Sequence, residues 1–210
     1  MSNVKFFQKL HEMTYNLAME IFQIKHNNIQ PEQGKILLSE PFMRDSYFGR
    51  AVILLTEHNS EGSVGLILNK PLDITINDVI NNFPDFPAKV FAGGPVNTER
   101  IFYLHSAGAL IPGSIHVFDT IYWSGNFEVL KELIHSQVIK PKDITFFIGY
   151  SGWSAGQLDS EINKNSWLVA TVTSQKVLFA DKSTIWECEL ASLGSKYKIW
   201  ASFPQDPTWN

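Results

Sequence analysis

The 210-residue chain is 44% hydrophobic and 13% aromatic, enough for a sizeable core, which excludes disordered, collagen-like and coiled-coil classes. Its 17 Lys and Arg against 21 Asp and Glu leave a formal net charge of −4, without the basic footprint that a nucleic-acid backbone demands, so no direct nucleic-acid partner is expected. One cysteine, a polar-broken start and no run near the ~18 apolar residues of a membrane span together predict a cytoplasmic protein with no membrane attachment and no internal disulfide.

At roughly 100–200 residues per domain the length predicts one domain with an appendage. The appendage is residues 1–28, where Val4, Phe7, Leu10, Met13, Leu17, Ile21 and Ile24 mark the apolar stripe of a helix over 4–24. That stripe packs on its own domain, or forms a homodimer or partner contact. His26–Pro31 breaks it, and the main domain spans 34–210. Strands are predicted at Lys35–Ser39, Ala51–Thr56 and Ser63–Leu68, the last two as an antiparallel pair, with Pro71 ending the second of them. Ala51–Thr56 is apolar throughout its first five residues and reads as buried on both faces.

A short helix over Thr75–Asn82 follows, capped by Thr75 or Asn77. Then come strands Lys89–Ala92, Ile101–His105 and Ile115–Phe118, an amphipathic helix Asn126–Ser136 and a buried strand Ile144–Gly149. Ser154–Ile162 is predicted as a helix with a Ser154/Gln157 capping box, and Trp167–Thr173 as a strand. Thr184–Leu193 is the last predicted helix, with a Thr184/Glu187 box and Gly194 just past its end, before an extended, proline-punctuated tail. Strand pairs mixed with a few helices, without strict alternation, argue an α+β fold on a mixed sheet.

Two glycine-rich turns carry the candidate chemistry. Gly149–Leu158 leaves a buried strand, turns through glycines and enters a helix, so first-turn N–H groups near Ala155–Gln157 form a generic anion or carbonyl site. The stretch also matches the G-x-S-x-G elbow at Ser154. No histidine follows His135, however, so the triad order fails, and a helix cap accounts for the Ser154 hydroxyl. The second turn, Gly93-Gly94-Pro95, precedes a strand that carries Arg100 and delivers His105. Arg100 suits a carboxylate or phosphate through its fork, or an ion pair with one of the acids. His105 reads as a hydrogen-bonded structural residue.

No dinucleotide or phosphate-loop fingerprint is present and His105, His116 and Asp119 lack ligand spacing, so neither cofactor nor metal is expected. Asp159 and Glu161 point to different faces and complement the helix dipole. Among six tryptophans Trp153 stands out as a loop aromatic able to wall a cleft. Cys188 lies between Glu187 and Glu189, which disfavour a thiolate, and a buried, inert thiol is expected.

The segments Gly34–Pro41, Phe48–Leu55, Gly65–Leu72, Gly93–Val96 and Gly149–Leu158, with Trp167-Leu168 and Pro207–Asn210, resemble the YqgE/AlgH family of small bacterial cytoplasmic proteins across about residues 34–210. The resemblance implies a single α+β domain, with a bent, mixed and largely antiparallel sheet flanked by helices and, in this chain, an extra N-terminal helix. It implies no settled activity, although one branch is named as a regulator of alginate production. Family members commonly carry Gly where this chain has Ser154, which counts against a nucleophile there.

The resulting expectation is a binding or regulatory protein. Its cleft would lie where the Gly93–Pro95 turn meets the Gly152–Gln157 loop-helix, formed by Gly93, Gly94, Pro95, Arg100, Gly152, Trp153, Gly156 and Gln157. The expected partner is a small anionic ligand or another protein. The alternatives are a hydrolase or transferase using Ser154 or His105, and a purely structural or interaction protein.

Overall fold

The computed structural model describes residue 25 and residues 27–203; the predicted helix over 4–24 and the end of the tail lie outside the described residues. Among the described residues ten strands form one sheet: β1 (Ile36–Ser39), β2 (Val52–Asn59), β3 (Gly62–Ile67), β4 (Pro71–Thr75), β5 (Lys89–Ala92), β6 (Val96–His105), β7 (Ile115–Phe118), β8 (Ile121–Trp123), β9 (Ile144–Ser154) and β10 (Trp167–Ala170). The main path runs β10-β1-β2-β3-β9-β6-β8-β7, with β4 paired to β5 and β5 to β9. Among the described strand pairs only β5–β9 is parallel. Among the described residues six α-helices flank the sheet: α1 (Ile76–Val79), α2 (Phe127–His135), α3 (Gln157–Asn163), α4 (Ser174–Phe179), α5 (Ile185–Ser192) and α6 (Ser195–Ala201).

Burial explains why the central strands read as unbroken apolar runs. Ile36, Leu38, Val52 and Leu54 face one core beneath Trp186, Leu190 and Trp200 of α5 and α6. Leu37, Ile53, Leu55 and Val169 face the opposite core, covered by Leu158 and Ile162 of α3 with Trp153 and Trp167. A third core packs Leu130 and Ile134 of α2 on Tyr103, Ile144 and Phe146. Each fully buried aliphatic side chain contributes about 1.5–3 kcal/mol. The sheet curls until its last edge meets the residues entering β1, where the Gln33 amide donates to the carbonyls of His116 (2.8 Å) and Val117 (3.2 Å).

Several boundaries depart from the sequence reading. Pro71 opens β4 rather than merely closing β3, because a strand's first residue tolerates a missing N–H. β9 continues through Gly149 to Ser154, so the expected turn there is strand, and α3 begins at Gln157 with Gly156 as its cap. β8, α4 and α6 were not anticipated. Thr184 precedes α5 but makes no side-chain cap bond, and Glu187 instead pairs with Arg50. Asn126 caps α2 as expected, accepting from the Glu128 and Val129 N–H groups. Cys188 is exposed on α5, contrary to the expected burial, because it sits between the inward-facing Trp186 and Leu190 on the helix's outer side.

Candidate functional site

The glycine-rich turns do meet, but at other residues than expected. Gly93 N–H donates to the Ile148 carbonyl (2.8 Å), and the Ser151 hydroxyl donates to the Gly93 carbonyl (3.2 Å). A Cβ built on Gly94 (φ 151°) would lie 2.3 Å from the Tyr150 carbonyl carbon. The Gly93–Pro95 turn therefore packs backbone to backbone on Gly149–Ser151, leaving no groove between them.

The Trp153 and Gln157 side chains are engaged internally. Glu161 Oε2 accepts both indole N–H groups, from Trp153 at 2.9 Å and Trp167 at 2.8 Å, and the two rings meet edge to face at 6.0 Å. Gln157 bridges the Ser154 N–H and the second Glu161 oxygen, each at 3.0 Å. Sequence reasoning assigned Glu161 to the helix dipole and so missed this node. Gly156 (φ 71°) opens the seven-residue α3 in the left-handed conformation, and Arg100 is exposed on β6.

Gly152 and Trp153, with Val96, do line a shallow depression of about 390 Å³. Its carboxylates, Glu57 and Glu61, oppose an anionic occupant.

The two residues of the hydrolase alternative lie at opposite ends of β9. His105 pairs with Ile144, and Ser154 is the last residue of the strand. Ten strand residues separate those ends by roughly 30 Å. His105 is fully buried, and its Nδ1 accepts from the Ala107 N–H at 3.2 Å. Nε2 therefore carries the proton, facing the Ser124 carbonyl and the Ser114 hydroxyl, each at 3.1 Å, so it cannot take a proton from Ser114. Burial holds the His105 pKa below its usual value.

A different cleft, of about 400 Å³, opens between the β1–β2 loop and the end of β3. Arg44, Arg50 and Lys70 supply three cations to its lining, against the single carboxylate of Asp45. The loop is held rigidly from within. Asp45 Oδ1 accepts the N–H groups of Tyr47 (2.8 Å) and Phe48 (2.9 Å), and the Asp45 carbonyl accepts from Gly49 N–H (3.0 Å). Asn69 grips its far end, accepting from Val52 N–H at 2.9 Å and donating to the Arg50 carbonyl at 2.8 Å.

Lys70 Nζ donates to the Gly49 carbonyl at 2.6 Å and has no carboxylate within 4.0 Å among the described residues. Burial lowers its pKa, more than Asp45 restores it. Arg50 adopts φ 52°, an uncommon conformation for a residue with a side chain. Its guanidinium lies 4.9 Å over Trp186 and pairs with Glu187 at 3.4 Å. It also donates to the Phe203 carbonyl, while its Nε–H is buried without an acceptor.

These residues escaped sequence reasoning because they are single charges in no recognisable motif, with Lys70 at least 20 positions from Arg44 and Arg50. The available signal was that Arg50 and Lys70 fall inside two of the segments that carry the family resemblance.

The AlgH-like family profile matches residues 36–198. A UPF0301 protein of Bacteroides thetaiotaomicron is 44% identical over 196 residues, covering 93% of this chain and 100% of that protein. One from Parabacteroides distasonis is 42% identical over 192 residues, covering 90% and 97%. Among solved structures, the solution structure of the AlgH protein from Pseudomonas aeruginosa aligns with TM-score 0.65 at 26% identity, over 84% of this chain and 98% of that one. The crystal structure of DIP2367 from Corynebacterium diphtheriae aligns with TM-score 0.69 at 22% identity, over 83% and 94%.

Proposed function

The chain belongs to the AlgH-like family, and from that premise we propose that it is a cytoplasmic binding protein that works in regulation by recognising a small oxyanion, phosphate- or carboxylate-bearing, in the Arg44–Arg50–Lys70 cleft. One observation carries the reading: a half-buried ammonium with no carboxylate partner among the described residues faces a cleft with two further cations and one carboxylate already bound to its own loop. Desolvation of Lys70 is unfavourable until a counter-charge arrives, and a bound oxyanion supplies it. The planar forks of Arg44 and Arg50 suit the same chemistry. The depression lined by Gly152 and Trp153 supports this role less well, because Glu57 and Glu61 stand in it.

A thermal-shift screen with inorganic phosphate, pyrophosphate, nucleotides and dicarboxylates tests the reading on wild type, Lys70→Met and Gly152→Ala. A ligand at a hundred times its dissociation constant adds about 2.7 kcal/mol of stability, a shift of several degrees. The shift should vanish in Lys70→Met and persist in Gly152→Ala; the reverse pattern moves the site to the Gly152 depression. Binding favours the charged lysine, whose pKa lies below the usual 10.5. Affinity should therefore fall as pH rises through that lowered value, and should weaken with added salt.

A further inference from the structure

Resting on that reading of the cleft, we infer that Arg50 couples its occupancy to the seating of the C-terminal helices, with Glu187 as the resident carboxylate that an incoming oxyanion displaces. Arg50 lines the cleft and at the same time holds three groups of the C-terminal region: the Glu187 carboxylate and Trp186 ring of α5, and the Phe203 carbonyl beyond α6. A second cleft residue, Phe42, stacks on the Phe203 ring at 5.5 Å and 23°. Two lining side chains thus anchor the point where the chain leaves α6.

The resident pair is poised for exchange. Its 3.4 Å separation is long beside the roughly 2.7–2.9 Å of a strong charge-assisted bond, and the Glu187 side chain is 37% exposed, able to turn to water. The Arg50 side chain is only 17% exposed and keeps one buried N–H without an acceptor. An oxyanion beside Lys70 offers Arg50 a second, more highly charged acceptor. Turning toward it withdraws the fork from Glu187 and from the Phe203 carbonyl, and α6 loses that hold. By reciprocity, whatever lifts α6 from Arg50 raises the cleft's affinity for its anion.

The experiment titrates inorganic pyrophosphate by calorimetry and follows hydrogen exchange across residues 195–203. Glu187→Gln removes the competing charge while its amide oxygen can still accept from Arg50, and the side chain replaced is 37% exposed, so the variant folds. It should bind pyrophosphate about three- to tenfold more tightly. The gain should shrink to less than twofold in an Arg50→Lys background, which keeps the charge and loses the fork. Saturating pyrophosphate should speed exchange at 195–203 in wild type and leave Arg50→Lys unchanged. Unaltered affinity in Glu187→Gln, an equal gain in both backgrounds, or unaltered exchange at saturation would overturn the coupling. If no oxyanion binds wild type, the cleft reading itself fails. If one binds and Lys70→Met abolishes it while Glu187→Gln changes nothing, the coupling alone is lost.

Discussion

Glu161 shows how one side chain can account for a whole run of distinctive residues. Its carboxylate satisfies the indoles of Trp153 and Trp167 and steadies Gln157, which in turn closes onto the start of α3. Replacing it with alanine leaves two indole N–H groups without a partner beneath α3. At about 1–3 kcal/mol for each unsatisfied group, Glu161→Ala should lower unfolding free energy by about 2–6 kcal/mol, with Glu161→Gln losing less, both measured by urea denaturation. The sequence made Trp153 and Gln157 conspicuous and left their purpose open. A tryptophan beside glycines can wall a cleft or pin a helix, and only the approach of Trp167 decides between them. Arg50 and Lys70 were the opposite case, unremarkable as residues and informative only once β2 and β3 lie side by side.

At the scale of elements, the strands and amphipathic helices of the core were readable because burial on one or both faces leaves a period in the sequence. β1, β2, α2 and α5 lie within a residue or two of their expected bounds, apart from the polar end of β2. Glycines concealed the length of β9, since a strand crossing two of them looks like a turn. They are there because the β5–β6 turn crosses that strand at backbone distance. Gly94→Ala drives a Cβ into the Tyr150 backbone in a conformation side chains resist, and should cost about 3 kcal/mol or more. Gly156→Ala meets nothing within 4 Å, so only its left-handed φ is penalised, at about 1–2 kcal/mol. Chemical denaturation of the two variants side by side checks the contrast; equal losses would show that the turn is not interlocked as described.

For the whole molecule, the α+β class and mixed sheet were legible, whereas the closure through Gln33 was not, because a side chain bonding carbonyls 83 positions away leaves no local pattern. His105, buried among these strands, links global stability to pH. Its native pKa is depressed, so below the ordinary value of 6.5 the unfolded chain takes up a proton that the native chain refuses. The stabilisation is complete above about pH 6.5 and declines as pH falls, by at most about 1.4 kcal/mol per pH unit, levelling once the native pKa is passed. Thermal melts from pH 7.5 to 5 should show a shallower acid decline in His105→Asn than in wild type. The position of β9 in the chain has a consequence for synthesis. β3, β5 and β6 all bond to β9 and not to one another, yet β9 spans only Ile144–Ser154. A chain growing on the ribosome can form its early hairpins, but their shared partner emerges late. For most of translation those sheet edges stay open, and the last, long-range pairings set both the speed of maturation and the interval in which a nascent chain is prone to aggregate.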